Sequence, residues 1–145
     1  MKIAIHITER VKHAWPIEYW TEFILKMTKA GHEIHAFSNE PNVKLTPGNP
    51  LVFYHTDLRD LNERLEIAKC DVYVGPVLEY YRMAKKAGLR LVAILGPTLK
   101  GEGVAATIPC AGCIENIHDM IDCRWGDEIC QWHVSPNDII AAIGA

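Results

Sequence analysis

The sequence predicts a three-layer α/β domain, a parallel β-sheet with helices on both faces. Three observations carry this reading. Short β-branched runs alternate with stretches of helical hydrophobic spacing through the first two thirds of the chain. Two of the helical stretches stop at a glycine, Gly31 and Gly88, immediately before the next apolar run. The chain has 145 residues, 49% of them hydrophobic, which is about one domain at roughly 150 residues per domain and enough to bury a real core.

Residues 2–7 form a β-branched run long enough for one strand. Over 16–30, Ile17, Trp20, Phe23, Ile24 and Met27 recur at helical spacing, with Pro16 suited to the first turn and Gly31 to the stop. A second strand is predicted at 34–37, followed by a loop over 38–50 with three prolines and a glycine. A third strand at 51–55 leads to Asp57, which can cap a helix whose apolar face is Leu58, Leu61, Leu65 and Ala68. Cys70 reads as a core residue with no chemical role. A short strand at 72–74 runs into Gly75-Pro76, a helix at 78–87 stops at Gly88, and a strand at 89–95 ends at Gly96-Pro97. Right-handed crossovers between parallel strands make this a single Rossmann-like domain over 1–145. A cysteine-rich insertion without sustained period covers about 99–133. A last helix is announced by Ser135-Pro136-Asn137-Asp138, with serine as N-cap, proline next and a carboxylate in the first turn.

Composition excludes several functions. A net charge of −3 gives no electrostatic reason for a nucleic-acid or anionic-membrane partner. No apolar run approaches the roughly 18 residues of a membrane span, and the first residues do not pattern as a secretion signal. A cytoplasmic protein is expected.

In an open parallel sheet, ligands sit at the carboxyl ends of the strands, where helix N-termini and loop amides point outward. Three segments are predicted there. Residues 8–15 offer Thr8, Arg10, Lys12 and His13 ahead of a helix, a place suited to phosphate, although solvated loop charges are the simpler reading. Residues 75–79 end in Glu79. Residues 96–103 contain Gly96 and Thr98 with two further glycines, which either admit a ligand to the backbone or serve as ordinary turns. The chain has no GxGxxG and no P-loop. Adjacent Tyr80 and Tyr81 are expected to divide, one ring in the core and one toward solvent.

The ordered set of these segments resembles the C-terminal, donor-binding half of heptosyltransferase-type enzymes, glycosyltransferase family nine. The resemblance lies in His6-x-Thr8-x-Arg10-x-Lys12-His13-x-Trp15-Pro16 before an amphipathic helix, and in Ala93-Ile94-Leu95-Gly96-Pro97-Thr98. It continues through Cys110-x2-Cys113, Cys123 and Cys130, closed by Val134-Ser135-Pro136 and a helix. It implies a GT-B donor half that binds a nucleotide-activated sugar, often ADP-linked, and requires no cofactor for transfer. Thr8 and Lys12, with His13 as the alternative to Lys12, would approach the donor diphosphate, with Thr98 near the same edge. Two departures stand out. The sequence begins at the donor-half strand, so any acceptor site and catalytic base are expected on a second chain or on another copy. Where the family carries an Asp-Thr/Ser-Gly turn, this chain has Val77-Leu78-Glu79. Glu79 would repel phosphate there but could accept hydrogen bonds from ribose hydroxyls; a plain first-turn helix carboxylate is an equal reading.

Four of the five cysteines crowd into 110–130. Clustering of this kind without an export signal suggests metal or redox chemistry before a disulfide framework. Cys110, Cys113, Cys123 and Cys130 can supply four thiolates to one tetrahedral ion, zinc or iron, in a structural role, since four thiolates leave no open position. His118 and His133 are alternative ligands, and free or disulfide-bonded cysteines are the competing reading. Two functions follow. One is a nucleotide or nucleotide-sugar binding domain that, if an enzyme, transfers a hexosyl or heptosyl group with a partner chain. The other is a non-catalytic binding or assembly module with a structural four-cysteine metal site.

Overall fold

The computed structural model describes residues 1–7, 15–38, 45–56, 66–95, 103–105 and 134–144. The strands are β1 (Lys2–His6), β2 (Glu33–Ser38), β3 (Val52–Thr56), β4 (Val72–Gly75), β5 (Arg90–Leu95) and β6 (Gly103–Ala105). The helices are α1 (Ile17–Lys29), α2 (Glu79–Lys86) and α3 (Pro136–Ile143), and residues 66–68 form a further helical turn. All strand pairs are parallel and the order is β3-β2-β1-β4-β5-β6. This is the dinucleotide-fold order 3-2-1-4-5-6, in which the chain reverses direction across the sheet between β1 and β4. The predicted three-layer α/β fold is therefore the one observed. β6 was not foreseen, because three residues starting at a glycine carry no period of their own; it exists by pairing Ala93, Ile94 and Leu95 with Gly103, Val104 and Ala105.

Alternation along the strands sorts side chains to the two faces. Ile3, Ile5, Ile34, Ala36, Val52, Val72, Val74 and Val92 point one way and form a core with Trp20, Phe23, Ile24 and Met27 of α1 and Ile139 and Ile143 of α3. The spacing of the α1 residues places them on one stripe. Gly31, at φ +91°, closes α1 as the sequence suggests. Its N–H donates to Thr28 O and that of His32 to Met27 O, the paired bonds of a Schellman stop. Gly88 closes α2 in the same way, with bonds from Gly88 to Lys85 O and from Leu89 to Ala84 O. The start of α3 is a full capping box: Ser135 Oγ accepts from Asp138 N at 3.2 Å and Asp138 Oδ2 from Ser135 N at 2.9 Å. At its other end, Arg90 from β5 donates to the carbonyls of Ile143 (2.6 Å) and Ala142, placing a cation at the negative end of the helix dipole.

The opposite face carries Ala4, Phe37, Tyr73 and Ala93, covered by Ile67, Cys70 and α2. Cys70 is buried as expected, and burial, with the Asp71 carboxylate adding to it, pushes its thiol up to about 12. Such a thiol is protonated and inert at neutral pH. The expected division of the tyrosines does not occur: Tyr80 is 1% and Tyr81 5% exposed. α2 lies close enough to the sheet for successive residues to reach it on either side. Tyr80 meets His6 (4.4 Å between ring centroids) and Phe37, while Tyr81 meets Tyr73 edge-on at 6.0 Å.

Candidate functional site

In folds of this strand order, the direction reversal between β1 and β4 marks the crevice at the carboxyl end of the sheet where ligands bind. Its described walls are the end of β1 at His6 and Ile7, and the turn from Gly75 to Glu79 that leads from β4 into α2. Below the turn, the Tyr73 hydroxyl donates to Pro76 O at 2.8 Å, fixing the path of the chain after the strand. Gly75 is required for this. A Cβ there would lie 2.7 Å from Tyr73 Oη and 3.2 Å from His6 Cβ, so any side chain would force the tyrosine or β1 aside. Burial, followed by the nearby Glu79 carboxylate, raises the Tyr73 phenol well above its usual range and keeps it a donor.

Leu78 is the N-cap residue of α2 and makes no side-chain cap. The first turn of this helix therefore has no capping hydroxyl of its own, and it presents the positive end of the helix dipole toward the crevice. Glu79 is the first helical residue and is half-buried. This is the placement the sequence predicts for it. The other expected ligands, Thr8, Arg10, Lys12, His13, Gly96 and Thr98, lie outside the described residues, as do Cys110, Cys113, Cys123 and Cys130.

The ends of segment 8–14 are firmly placed. Ile7 is buried and its N–H donates to Phe37 O at 3.1 Å. Trp15 is buried edge-on against Trp20 (4.7 Å) and donates its indole N–H to Val134 O at 2.7 Å. That bond joins the entry of α1 to the entry of α3. An open depression of about 460 Å³ lies at the other end of the sheet, lined by Met1, Lys2, Gly31, Glu33, Leu51, Lys69 and Asp71. It sits beside the amino ends of the strands, away from the crevice where this fold class takes its ligands.

The all-parallel strand order defines the class as a Rossmann-like α/β fold. Solved structures of this architecture include heptosyltransferases. E. coli WaaC, in structures with ADP and with ADP-2-deoxy-2-fluoro heptose, is 16–17% identical with TM-scores of 0.72–0.73. TibC from enterotoxigenic E. coli, described as an iron-containing dodecameric glycosyltransferase, is 15% identical with a TM-score of 0.79. E. coli ADP-heptose LPS heptosyltransferase II is 13% identical with a TM-score of 0.69. Each match covers 99% of this chain and 42–45% of the other, so the chain spans less than half the length of these enzymes. No protein-family pattern and no curated protein matches the sequence. The resemblance found in the sequence motifs is thus met by the same enzymes in fold. Among the described residues, no helix is long and apolar enough to cross a membrane.

Proposed function

We propose that the chain is the nucleotide-sugar binding unit of a heptosyltransferase-type glycosyltransferase, over one domain from 1 to 145. The observation that carries this reading is the fit of 99% of the chain to enzymes solved with ADP and with ADP-heptose, TibC having been solved with ADP-D-β-D-heptose at a TM-score of 0.78. Thr8, Arg10, Lys12 and His13 lie in sequence between β1 and α1, where the Arg10 and Lys12 charges and the helix dipole would act together on a diphosphate. In transfer they would stabilise the charge that develops on the departing nucleotide. Gly96 and Thr98 follow β5 in sequence. Glu79, at the mouth of β4, is suited to accept from ribose hydroxyls, with an ADP-linked donor favoured by the enzymes of like fold.

Catalysis needs an acceptor site and a base, which in this reading lie outside residues 1–145. A cytoplasmic location fits an enzyme of soluble nucleotide-sugars. The four-cysteine set suits zinc or iron as a structural ion, and the iron-containing description of TibC supports iron. Transfer itself asks for no cofactor in this account. Titration calorimetry of the full chain with ADP, UDP, GDP and CMP tests the reading: ADP should bind, and Lys12→Ala should weaken it. Silence with all four would overturn it. The second reading, a binding or assembly module with a structural metal, is favoured by Glu79 standing where the family offers a hydroxyl-glycine turn. It predicts nucleotide silence together with one equivalent of iron or zinc by elemental analysis.

A further inference from the structure

β2 and β3 bring two imidazoles together on the sheet face that also carries α2. His35 Nδ1 and His55 Nε2 are 2.9 Å apart. Glu66, in the helical turn that precedes β4, completes a group in which one ligand atom from each residue lies within 4.8 Å of the others. Three separate backbone segments supply the group. His35 is 8% exposed, and the other two are half-buried. We propose that His35, His55 and Glu66 form a binding site for a divalent first-row transition ion, zinc by preference, with Glu33 orienting His35.

The ring protons can be assigned by chemistry. An ionised carboxylate only accepts hydrogen bonds, so Glu33 Oε1, 3.0 Å from His35 Nε2, places a proton on that nitrogen. In the neutral ring, Nδ1 is then a bare lone pair facing the group, and it accepts from His55 Nε2–H. When a metal enters, it takes the place of that shared hydrogen. His55 moves its ring proton from Nε2 to Nδ1, and no proton has to leave the protein. The result is a carboxylate–imidazole–metal arrangement, in which the outer carboxylate fixes the ring and strengthens the ligand.

The rings are also held in place. Phe53, His35, His55 and Phe37 form a stacked ladder with centroid separations of 5.0, 5.1 and 4.7 Å. The parallel register sets Phe53 opposite His35 and His55 opposite Phe37. Ligand atoms about 2.1 Å from a tetrahedral ion lie about 3.4 Å from one another. The 2.9 Å between His35 Nδ1 and His55 Nε2 is below that value and the 4.8 Å span of the group is above it, so closure needs the two imidazoles to part by about half an ångström and Glu66 to swing inward. Its Oε1 is paired with Lys69 Nζ at 3.0 Å across an exposed surface, the kind of ion pair that contributes little and is readily surrendered. Two imidazoles and one carboxylate leave a coordination position open for water or an anionic group. The donor set differs from four thiolates, and the site does not depend on nucleotide binding.

The test is a Co²⁺ titration of the full chain, followed by visible absorption and by the histidine ring resonances. The expected result is a set of ligand-field bands distinct from any sulfur-to-metal charge transfer of the cysteines, with His35 and His55 resonances broadened by the paramagnetic ion. His55→Asn should abolish those bands while leaving any sulfur-based absorption from the cysteines intact, and Glu33→Gln should weaken binding by about 10–100-fold. The ring resonances are read in the unsubstituted protein, so the outcome does not depend on the variants folding. His35 and His55 resonances that stay sharp at saturating Co²⁺, or Co²⁺ affinity unchanged in a folded His55→Asn protein, would overturn the proposal.

Discussion

The two faces of the sheet are built from different chemistry. Under α1 and α3 the strands present isoleucine and valine, and the helices answer with Trp20, Phe23, Ile24, Met27, Ile139 and Ile143. Under α2 and the 66–70 segment the same strands present His6, His35, Phe37 and Tyr73, with His55, Cys70, Tyr80 and Tyr81 around them. The first face gains free energy by removing apolar surface from water and asks for no specific partner. The second buries groups that cost free energy unless each finds a partner. It finds them through the Tyr73–Pro76 bond and the Glu33–His35–His55 chain. One face therefore rests on apolar burial, and the other combines such burial with specific polar partners, one of which responds to pH.

Substitutions can break this contrast, and the largest effect belongs to the aliphatic face. Trp20 is 1% exposed and packs edge-on against Trp15 and Phe23. Trp20→Ala should cost about 3–5 kcal/mol in denaturant unfolding; a loss below about 1 kcal/mol would mean this face is not the main core. Next comes Gly75→Ala, which sets a methyl 2.7 Å from the Tyr73 hydroxyl. It should destabilise by about 1–3 kcal/mol and, in the proposed function, weaken nucleotide binding by disturbing the turn above it. Ser135→Ala removes half of the α3 capping box and should cost about 1 kcal/mol, visible as a lower midpoint at unchanged denaturant slope.

The smallest effect concerns pH. Folding lowers the pKa of His55 below 6.5, so the unfolded chain takes up that proton first as the solution is acidified. The contribution to stability is complete above 6.5, declines as pH falls through that value, and levels off once the folded imidazole is also protonated. Unfolding midpoints measured from pH 8 down to about 5 should show this decline, and His55→Asn should flatten it. An equal decline in the variant would remove His55 as its cause.

Sequence pattern carried the aliphatic face well and the other poorly, for a physical reason. Helical spacing in α1, the glycine stops and the Ser135 cap are local signals, fixed within a few residues by backbone geometry. The parallel, three-layer arrangement followed from alternation and handedness. The His35–His55–Glu66 group has no local signature. It arises because β2 and β3 pair in parallel with Phe37 opposite His55, a long-range register that spacing along the chain does not encode. The hint available was a histidine at alternate positions with phenylalanine in both strands, His35-x-Phe37 and Phe53-x-His55. The tyrosine pair was misread because helix spacing says which residues share a stripe, whereas the depth at which α2 lies on the sheet decides that both are buried. At the crevice, Gly75 and Glu79 stood where the pattern put them, and the cationic segment that follows β1 is bounded by buried Ile7 and Trp15.

In the proposed function, ligand binding belongs to the carboxyl end of the sheet, at the reversal between β1 and β4. Backbone amide chemical shifts recorded during ADP addition to the full chain test it most directly. The expected changes start at Ile7, Gly75, Val77 and Glu79 and spare Gly31, Lys69 and Asp71 around the opposite depression. Shifts centred on Gly31, Lys69 and Asp71, with Gly75 and Glu79 unmoved, would contradict it.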